Sequence, residues 1–365
     1  MLSTLRHVKL LGTVMAICVA VAACGGGAAA PSAAPATGAV APAAASPTAP
    51  AGALPAPELT KIRIGLSAGS EPVQFAEKLA DYMGIYKKYG ITTVEITGFE
   101  GDGKVLQALI AGQLDMFVGG TSSAINSMVT ETPLKVISMN SVILDDVLVC
   151  QKDIKTAADV KGKAIAISTF GGTSHGSALI VIKGLGLTTK DVTIQQVGGE
   201  GTRIAALKGG SVPCGLVGTD NAKVLTASGF NAVYDESTSK VQWGRSGLMA
   251  RTDFIAKNPN TVLVVVAAAL EAQNLMWTDT ANAAAKYAEF SQKKPDEAKT
   301  LVEGFKAYGD RSMRFTEEAL VMPRDVIAAV NPAMANVDIS KTYDLSFLKK
   351  LEDIGFYKKI GAPTN

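Results

Sequence analysis

Two stretches of this chain follow one plan, and a duplicated plan constrains a fold more tightly than composition does. The first has a strand pattern at residues 94–97, the loop Gly101-Asp102-Gly103, a helix ending in Ala108-Leu109-Ile110-Ala111-Gly112, an apolar strand at 114–118 and the turn Gly119-Gly120-Thr121. The second has residues 192–196, Gly199-Glu200-Gly201, Ala206-Leu207-Lys208-Gly209-Gly210, an apolar stretch at 212–217 and Gly218-Thr219, in the same register without a gap. A single unit of this kind cannot bury its apolar faces alone. Two of them predict two similar α/β lobes with a cleft between, and clefts between lobes take ligands.

The N-terminal segment is of another kind. Arg6 and Lys9 flank the start of an apolar run at residues 10–20, too short to span a bilayer, and Val21-Ala22-Ala23 leads into Cys24. That order predicts an export signal over residues 1–23. Residues 25–57 are almost entirely Ala, Pro, Gly, Ser and Thr, with no charge. Such a segment cannot bury enough apolar surface to offset chain entropy, so residues 24–57 are expected to form a disordered tether. Run out as a Pro-rich chain it would reach on the order of 100 Å.

The body, residues 58–365, is long enough for two ordinary domains. The chain's formal charge of +2 includes Arg6 and Lys9, so the body is near neutral. It has no basic stripe, which argues against nucleic acid as a partner. The most apolar later run, residues 261–270, stops at Glu271 and predicts a buried helix rather than a membrane span. Alternation at 61–66 predicts the first strand, opening into Ser67-Ala68-Gly69-Ser70. Pro72 then suits the first turn of a helix carrying Phe75, Leu79, Tyr82, Met83 and Tyr86. Strands at 134–142 and 147–150 follow, the latter leaving the first lobe. The pattern restarts at 164–168, Thr173-Ser174-His175 opens a helix to Gly184, and residues 243–251 run back to the first lobe. The remainder reads as helices.

Tyr82-Met83-Gly84-Ile85-Tyr86-Lys87-Lys88-Tyr89-Gly90-Ile91, Ala108-Leu109-Ile110-Ala111-Gly112-Gln113-Leu114-Asp115, Asp159-Val160-Lys161-Gly162-Lys163 and Gly172-Thr173-Ser174-His175 occur in that order. Together they resemble the signatures of the solute-binding proteins of ABC importers, in the sulfonate, nitrate, taurine and thiamine-pyrimidine-precursor branch. The resemblance covers nearly the whole body. It implies an α/β fold of the type II periplasmic-binding-protein kind: two Rossmann-like lobes joined by two crossing strands, with a C-terminal helical segment packed on lobe 1. Lobe 1 would comprise residues 58–151 and 244–365, and lobe 2 residues 152–243. The implied protein is an extracytoplasmic, monomeric receptor without cofactor or metal. It would capture a small polar or anionic organic molecule (sulfonate, nitrate, carboxylate or pyrimidine-like) and deliver it to a permease and its ATPase. Val21-Ala22-Ala23-Cys24 also resembles the bacterial lipoprotein box, which would make Cys24 an acylated anchor on the outer face of the cytoplasmic membrane or in the periplasm.

In open α/β sheets ligands lie beyond the carboxyl ends of the strands, where helix N-termini present unpaired N–H groups and partial positive charge. At those places the chain has Ser67 and Ser70, Gly101, Gly120 with Thr121 and Ser122, Thr173 with Ser174 and His175, Gly199, and Thr219 with Asp220. Glycine admits close backbone approach and the hydroxyls add uncharged donors, so this ring predicts a seat for a sulfonate, carboxylate or nitrate. Asn140 is a further candidate, as is Phe170, which with Phe99 and Trp243 could stack on a planar ring. Asp220 conflicts with an anion: facing the cleft it favours an amine or hydroxyl, and otherwise it caps its helix. Arg203 and Arg245 are the nearest cationic anchors, with surface placement the alternative.

Cys150 and Cys214 are an even pair in an export-competent compartment, where a disulfide is permitted. Placing one on a crossing strand and the other inside lobe 2 favours two buried thiols instead. The body has a single histidine, His175, and no Gly-x-Ser-x-Gly or metal-ligand spacing, so no catalytic residue is assigned. Two other readings stay open. One is the ligand-binding subunit of a surface sensory system. The other is a pyrimidine-synthase-like enzyme on the same fold, although that enzyme's cysteine-rich motif is absent.

Overall fold

The computed structural model describes residues 52–67, 71–129, 133–238, 241–329 and 331–364. The export signal, Cys24, most of the tether and Ser70 lie outside the described residues.

The apolar strand patterns pair into two five-stranded mixed sheets. The first contains β1 (Lys61–Leu66), β2 (Thr93–Gly98), β3 (Met116–Gly119) and β4 (Leu134–Ile143). The second contains β5 (Asp146–Cys150), β6 (Ala164–Ile167), β7 (Thr193–Gln196), β8 (Cys214–Gly218) and β9 (Asn231–Asp235), and β10 (Gln242–Arg251) returns to the first. The strand orders are β2-β1-β3-β10-β4 and β7-β6-β8-β5-β9. In each, the first three strands are parallel and the fourth is antiparallel to its neighbours. The duplicated units are therefore β2 and β3 around helix Asp102–Ile110, and β7 and β8 around helix Glu200–Lys208. The chain crosses between lobes twice, just before β5 and just before β10.

β5 does not remain with the first lobe. It pairs between β8 and β9, and its register sets Cys150 directly opposite Cys214. Their Cα atoms lie 4.0 Å apart and the sulfurs are bonded, so the expectation of two free thiols is corrected. Adjacent antiparallel strands bring the cysteines together, a neighbourhood that sequence separation concealed.

The helix expected from Pro72 through Tyr86 is broken. A 3₁₀ turn at Pro72–Gln74 leads into helix Ala76–Tyr82, and Gly84, with φ 67°, separates this from helix Ile85–Lys88. A left-handed residue ends one helix and turns the chain into the next, which glycine does without a side-chain clash. Helix Pro259–Thr278 is long and apolar enough to cross a membrane by length and composition, yet most of it is buried. It runs through the core of lobe 1 against Ala76–Tyr82, and Val262 to Leu270 are wholly inaccessible to solvent. Glu58 caps its start by accepting the N–H groups of Asn260 and Thr261 at 2.9 and 2.6 Å. The remaining C-terminal helices pack around it. One of them, Glu318–Ala328, also touches helix Thr173–Gly184 of lobe 2.

Candidate ligand-binding cleft

The Gly-acidic-Gly loops of the repeat place one carboxylate at the head of each equivalent helix. Asp102 opens helix Asp102–Ile110, and its Oδ1 accepts the N–H of Gly120 at 3.0 Å. Glu200 opens helix Glu200–Lys208, and its Oε1 accepts the N–H of Gly218 at 2.7 Å and the amide of Asn221 at 2.9 Å. Asp102 also receives the Ser67 hydroxyl and, across the gap, the backbone N–H of Thr173. A carboxylate at a helix start satisfies orphan N–H groups and the positive end of the dipole. The protein's own acids thus fill the places where the sequence predicts N–H groups waiting for an anion. Other loop donors are occupied as well: Ser168 N–H goes to Ser174 Oγ at 2.8 Å and Thr219 N–H to the Asp145 carbonyl at 3.0 Å.

The loops of the two lobes meet closely. Gly101 faces Thr169, Gly199 faces Glu100, and a side chain at Gly120 would fall on Thr173 Oγ1. Asn126 donates to the Gly171 carbonyl at 2.7 Å across the same gap. Between these contacts lies a polar cleft of about 60 Å³. Of the residues predicted for the site, Ser67, Gly101, Gly120, Thr173, Ser174 and Gly199 line it.

The others are placed elsewhere. Thr121 donates its hydroxyl to the Gly244 carbonyl at 2.6 Å, Thr219 its hydroxyl to the Asp145 carbonyl at 2.6 Å, and Ser122, next to Thr121 in the chain, is fully buried. Asn140 lies behind the first sheet, donating to Gln273 Oε1 at 3.0 Å. His175 accepts the Gly171 N–H on Nδ1 at 3.1 Å and meets the edge of Phe170, which is 58% exposed; both line an adjoining compartment. Trp243 is buried under Gly176, and Phe99 packs on the core of lobe 1. Asp220 lines a side compartment with Tyr287 and Tyr308 and pairs with Lys223 at 3.3 Å.

Sequence reasoning passed over Glu71, Asp102, Asp146, Glu200 and Ser246, which also line the cleft. The signal for Asp102 and Glu200 was present, as the one acidic position shared by both repeats. Asp146 and Ser246 sit at the chain crossings, where no local pattern marked them, and Glu71 follows directly on the predicted Ser67–Ser70 loop. Arg203 and Arg245 are not at the surface. Arg203 is buried and donates to the carbonyls of Leu216 and Gly198 at 2.7 and 2.9 Å. Arg245, on β10, pairs with Asp145, reaches Glu71 at 3.5 Å and lies 4.0 Å from Asp146.

The electrostatics follow from this crowding. Burial pushes the Asp145 carboxyl up to about 7 against the pull of Arg245. Burial, then the neighbouring Glu200 charge, raises Glu71 well above the usual carboxylate range. Burial also acts to raise Glu200, but a hydrogen bond from Glu71, together with Arg203 and Asn221, outweighs it and holds this carboxyl low. The two carboxyls thus face each other across the lobes with opposite tendencies, Glu71 held up and Glu200 held down. An anion set about 5 Å from one unneutralised carboxylate meets a repulsion of about 3 kcal/mol at an effective dielectric constant near 20. Among the described residues no cluster of His, Cys, Asp and Glu has the arrangement of a metal site.

Residues 76–283 match the family described as NMT1/THI5 like. No curated protein sequence matches the chain. Among solved structures, the alkanesulfonate-binding protein SsuA from Xanthomonas axonopodis pv. citri, bound to MOPS, is 18% identical with a TM-score of 0.63, covering 78% of this chain and 96% of its own. The periplasmic nitrate-binding protein NrtA from Synechocystis PCC 6803 is 16% identical with a TM-score of 0.68, covering 85% and 93%. DszB in complex with biphenyl-2-sulfinic acid is 14% identical with a TM-score of 0.59, covering 80% and 99%. At such identities the likeness shows the fold, that of the periplasmic binding proteins. With its family match spanning both lobes and most of the described chain, the protein belongs to the NMT1/THI5-like family.

Proposed function

We propose that the chain is the extracytoplasmic solute receptor of an ABC importer, taking a small polar solute between its lobes and passing it to a permease and ATPase. The observation that carries this reading is the face-to-face arrangement of the duplicated Gly-acid loops around one polar cleft. Closure would turn on the two crossing segments, next to Asp145 and Trp243. Cys24 would carry the lipid and residues 24–57 the tether that keeps a monomeric body near the membrane. The acid-lined wall speaks against the anionic part of the ligand range that the sequence suggested.

A catalytic role is disfavoured by the chemistry at hand. His175 accepts a backbone N–H on Nδ1, and Cys150 and Cys214 are bonded to each other. The sensory reading differs only in the partner. Reconstituting the protein with a candidate permease and ATPase from its host would test the importer reading. Solute-dependent stimulation of ATP hydrolysis is the expected result, and solute binding without stimulation would favour a sensor. A solute at a hundredfold excess over its dissociation constant should stabilise the fold by about 2.7 kcal/mol.

A further inference from the structure

Resting on the receptor reading, we propose that the solute held in the cleft is a small organic cation carrying N–H donors (a protonated amine, amidine or guanidine), not an anion. Three independent features of the wall carry this.

The first is which groups remain free. The backbone donors an anion would need at Gly120, Ser168, Gly218 and Thr219 are bonded to Asp102, Ser174, Glu200 and the Asp145 carbonyl. The second is the charge count. Glu71, Asp102, Asp146 and Glu200 line the cleft with Arg203 and Arg245 as its cations, and Asp145 stands behind. Arg203 is occupied by two backbone carbonyls and Arg245 by acids. Lys293, which lines the side compartment, pairs with Glu297, and Lys223 pairs with Asp220. The wall thus sets four carboxyl groups against two guanidiniums.

The third feature points to a ligand directly. Ser246 is 1% exposed and Thr173 9% exposed, both line the cleft, and neither hydroxyl oxygen has a hydrogen-bond partner in the protein. A buried hydroxyl without a partner is costly and is normally satisfied by something bound. Each can accept an N–H or donate its own O–H, so the hydroxyls mark a ligand and the carboxyls around them set its charge. Glu71 and Glu200, which line the cleft from opposite lobes, offer carboxyl oxygens to the same cation. An amine held between them would tie ligand binding to the meeting of the lobes.

The test titrates the purified full-length protein with agmatine and putrescine, and separately with ethanesulfonate and nitrate, at matched ionic strength. Melting temperature and calorimetric affinity are the readouts. Agmatine or putrescine should raise the melting temperature saturably, and the two anions should not. Glu200→Gln keeps the shape and the Gly218 contact, so its unliganded melting temperature should be near that of the parent while cation affinity falls about tenfold or more. Should Glu200→Gln fail to fold, Asp146→Asn takes its place with the same expected loss. Stabilisation by ethanesulfonate or nitrate alone, or unchanged cation affinity in the variant, overturns the proposal. Silence from both sets also overturns it. Mass spectrometry of small molecules released on denaturing protein from its native host then separates the two failures. A bound anion retains the receptor reading, and an empty cleft removes it.

Discussion

Asp102 and Glu200 stand at the same point of the two repeats and close the same ring, each accepting the N–H of the glycine 18 residues further on. The duplication is thus one of chemistry as well as of shape. In each lobe an acid on the first turn of a helix ties down the loop after the next strand. Only Asp102 reaches on to the other lobe's backbone, at Thr173. Asp102→Ala should therefore remove three accepted hydrogen bonds and cost about 2–4 kcal/mol in chemical denaturation. Asp102→Asn keeps an acceptor at a site where burial already raises the carboxyl, and should cost less than about 1 kcal/mol. Equal losses in both variants would mean that the charge, and not the acceptor, is what the fold uses.

Gly120 is a point of close approach between the lobes. A methyl group there would fall on Thr173 Oγ1 and within 2.7 Å of Asp102 Oδ2. Gly120→Ala should hold the lobes apart, seen as a larger radius of gyration in small-angle scattering and a weaker response to any solute. Its stability cost should be about 1–3 kcal/mol. An unchanged scattering profile would show that the wall yields locally instead.

Glu77 sets an expectation for pH. It lies fully buried on helix Ala76–Tyr82, and burial pushes it from an ordinary 4.5 up to about 7, with Asn140 partly easing the charge. A carboxyl raised in the folded state contributes stability that is complete below its unfolded pKa and is lost as pH rises through its folded one. Melting temperature should then fall between pH 4.5 and 7, with Asp145 adding in the same direction. Glu77→Gln should flatten part of that slope and be more stable than the parent at pH 8 by on the order of 3 kcal/mol. A variant whose pH profile matched the parent's would place the titration elsewhere.

The Cys150–Cys214 bond closes a loop with a sequence separation of 64 residues within lobe 2. Replacing both cysteines by serine should cost about 2–4 kcal/mol, chiefly by freeing the unfolded chain. Reductant should lower the parent's melting temperature to match and leave the double variant unmoved. A reductant-sensitive double variant would assign the effect to something other than this bond.

Much of the fold was legible because it is local. Hydrophobic alternation marked Lys61–Leu66, the Ala-Leu-x-x-Gly stops marked both repeat helices, and Thr173-Ser174-His175 marked the start of the helix to Gly184. The loops of the cleft were legible for the same reason, since strand ends followed by glycine are a local pattern. Asn140 misled because a polar residue near a strand end looks the same whether it faces a ligand or, as here, a buried Gln273. Arg245 misled because the acids that hold it, Asp145 and Glu71, are distant in sequence.

The sequence by itself determined the two α/β units, their shared glycines and acids, and the family to which they lead. Tertiary structure alone decided what those acids do. Periodicity and turn chemistry act over a few residues, so they survive reading along a line. Charge and burial depend on which segments meet across a gap, and the two crossings that bring Arg245, Asp145 and Glu71 to Glu200 turned an expected seat for an anion into a wall of carboxylates.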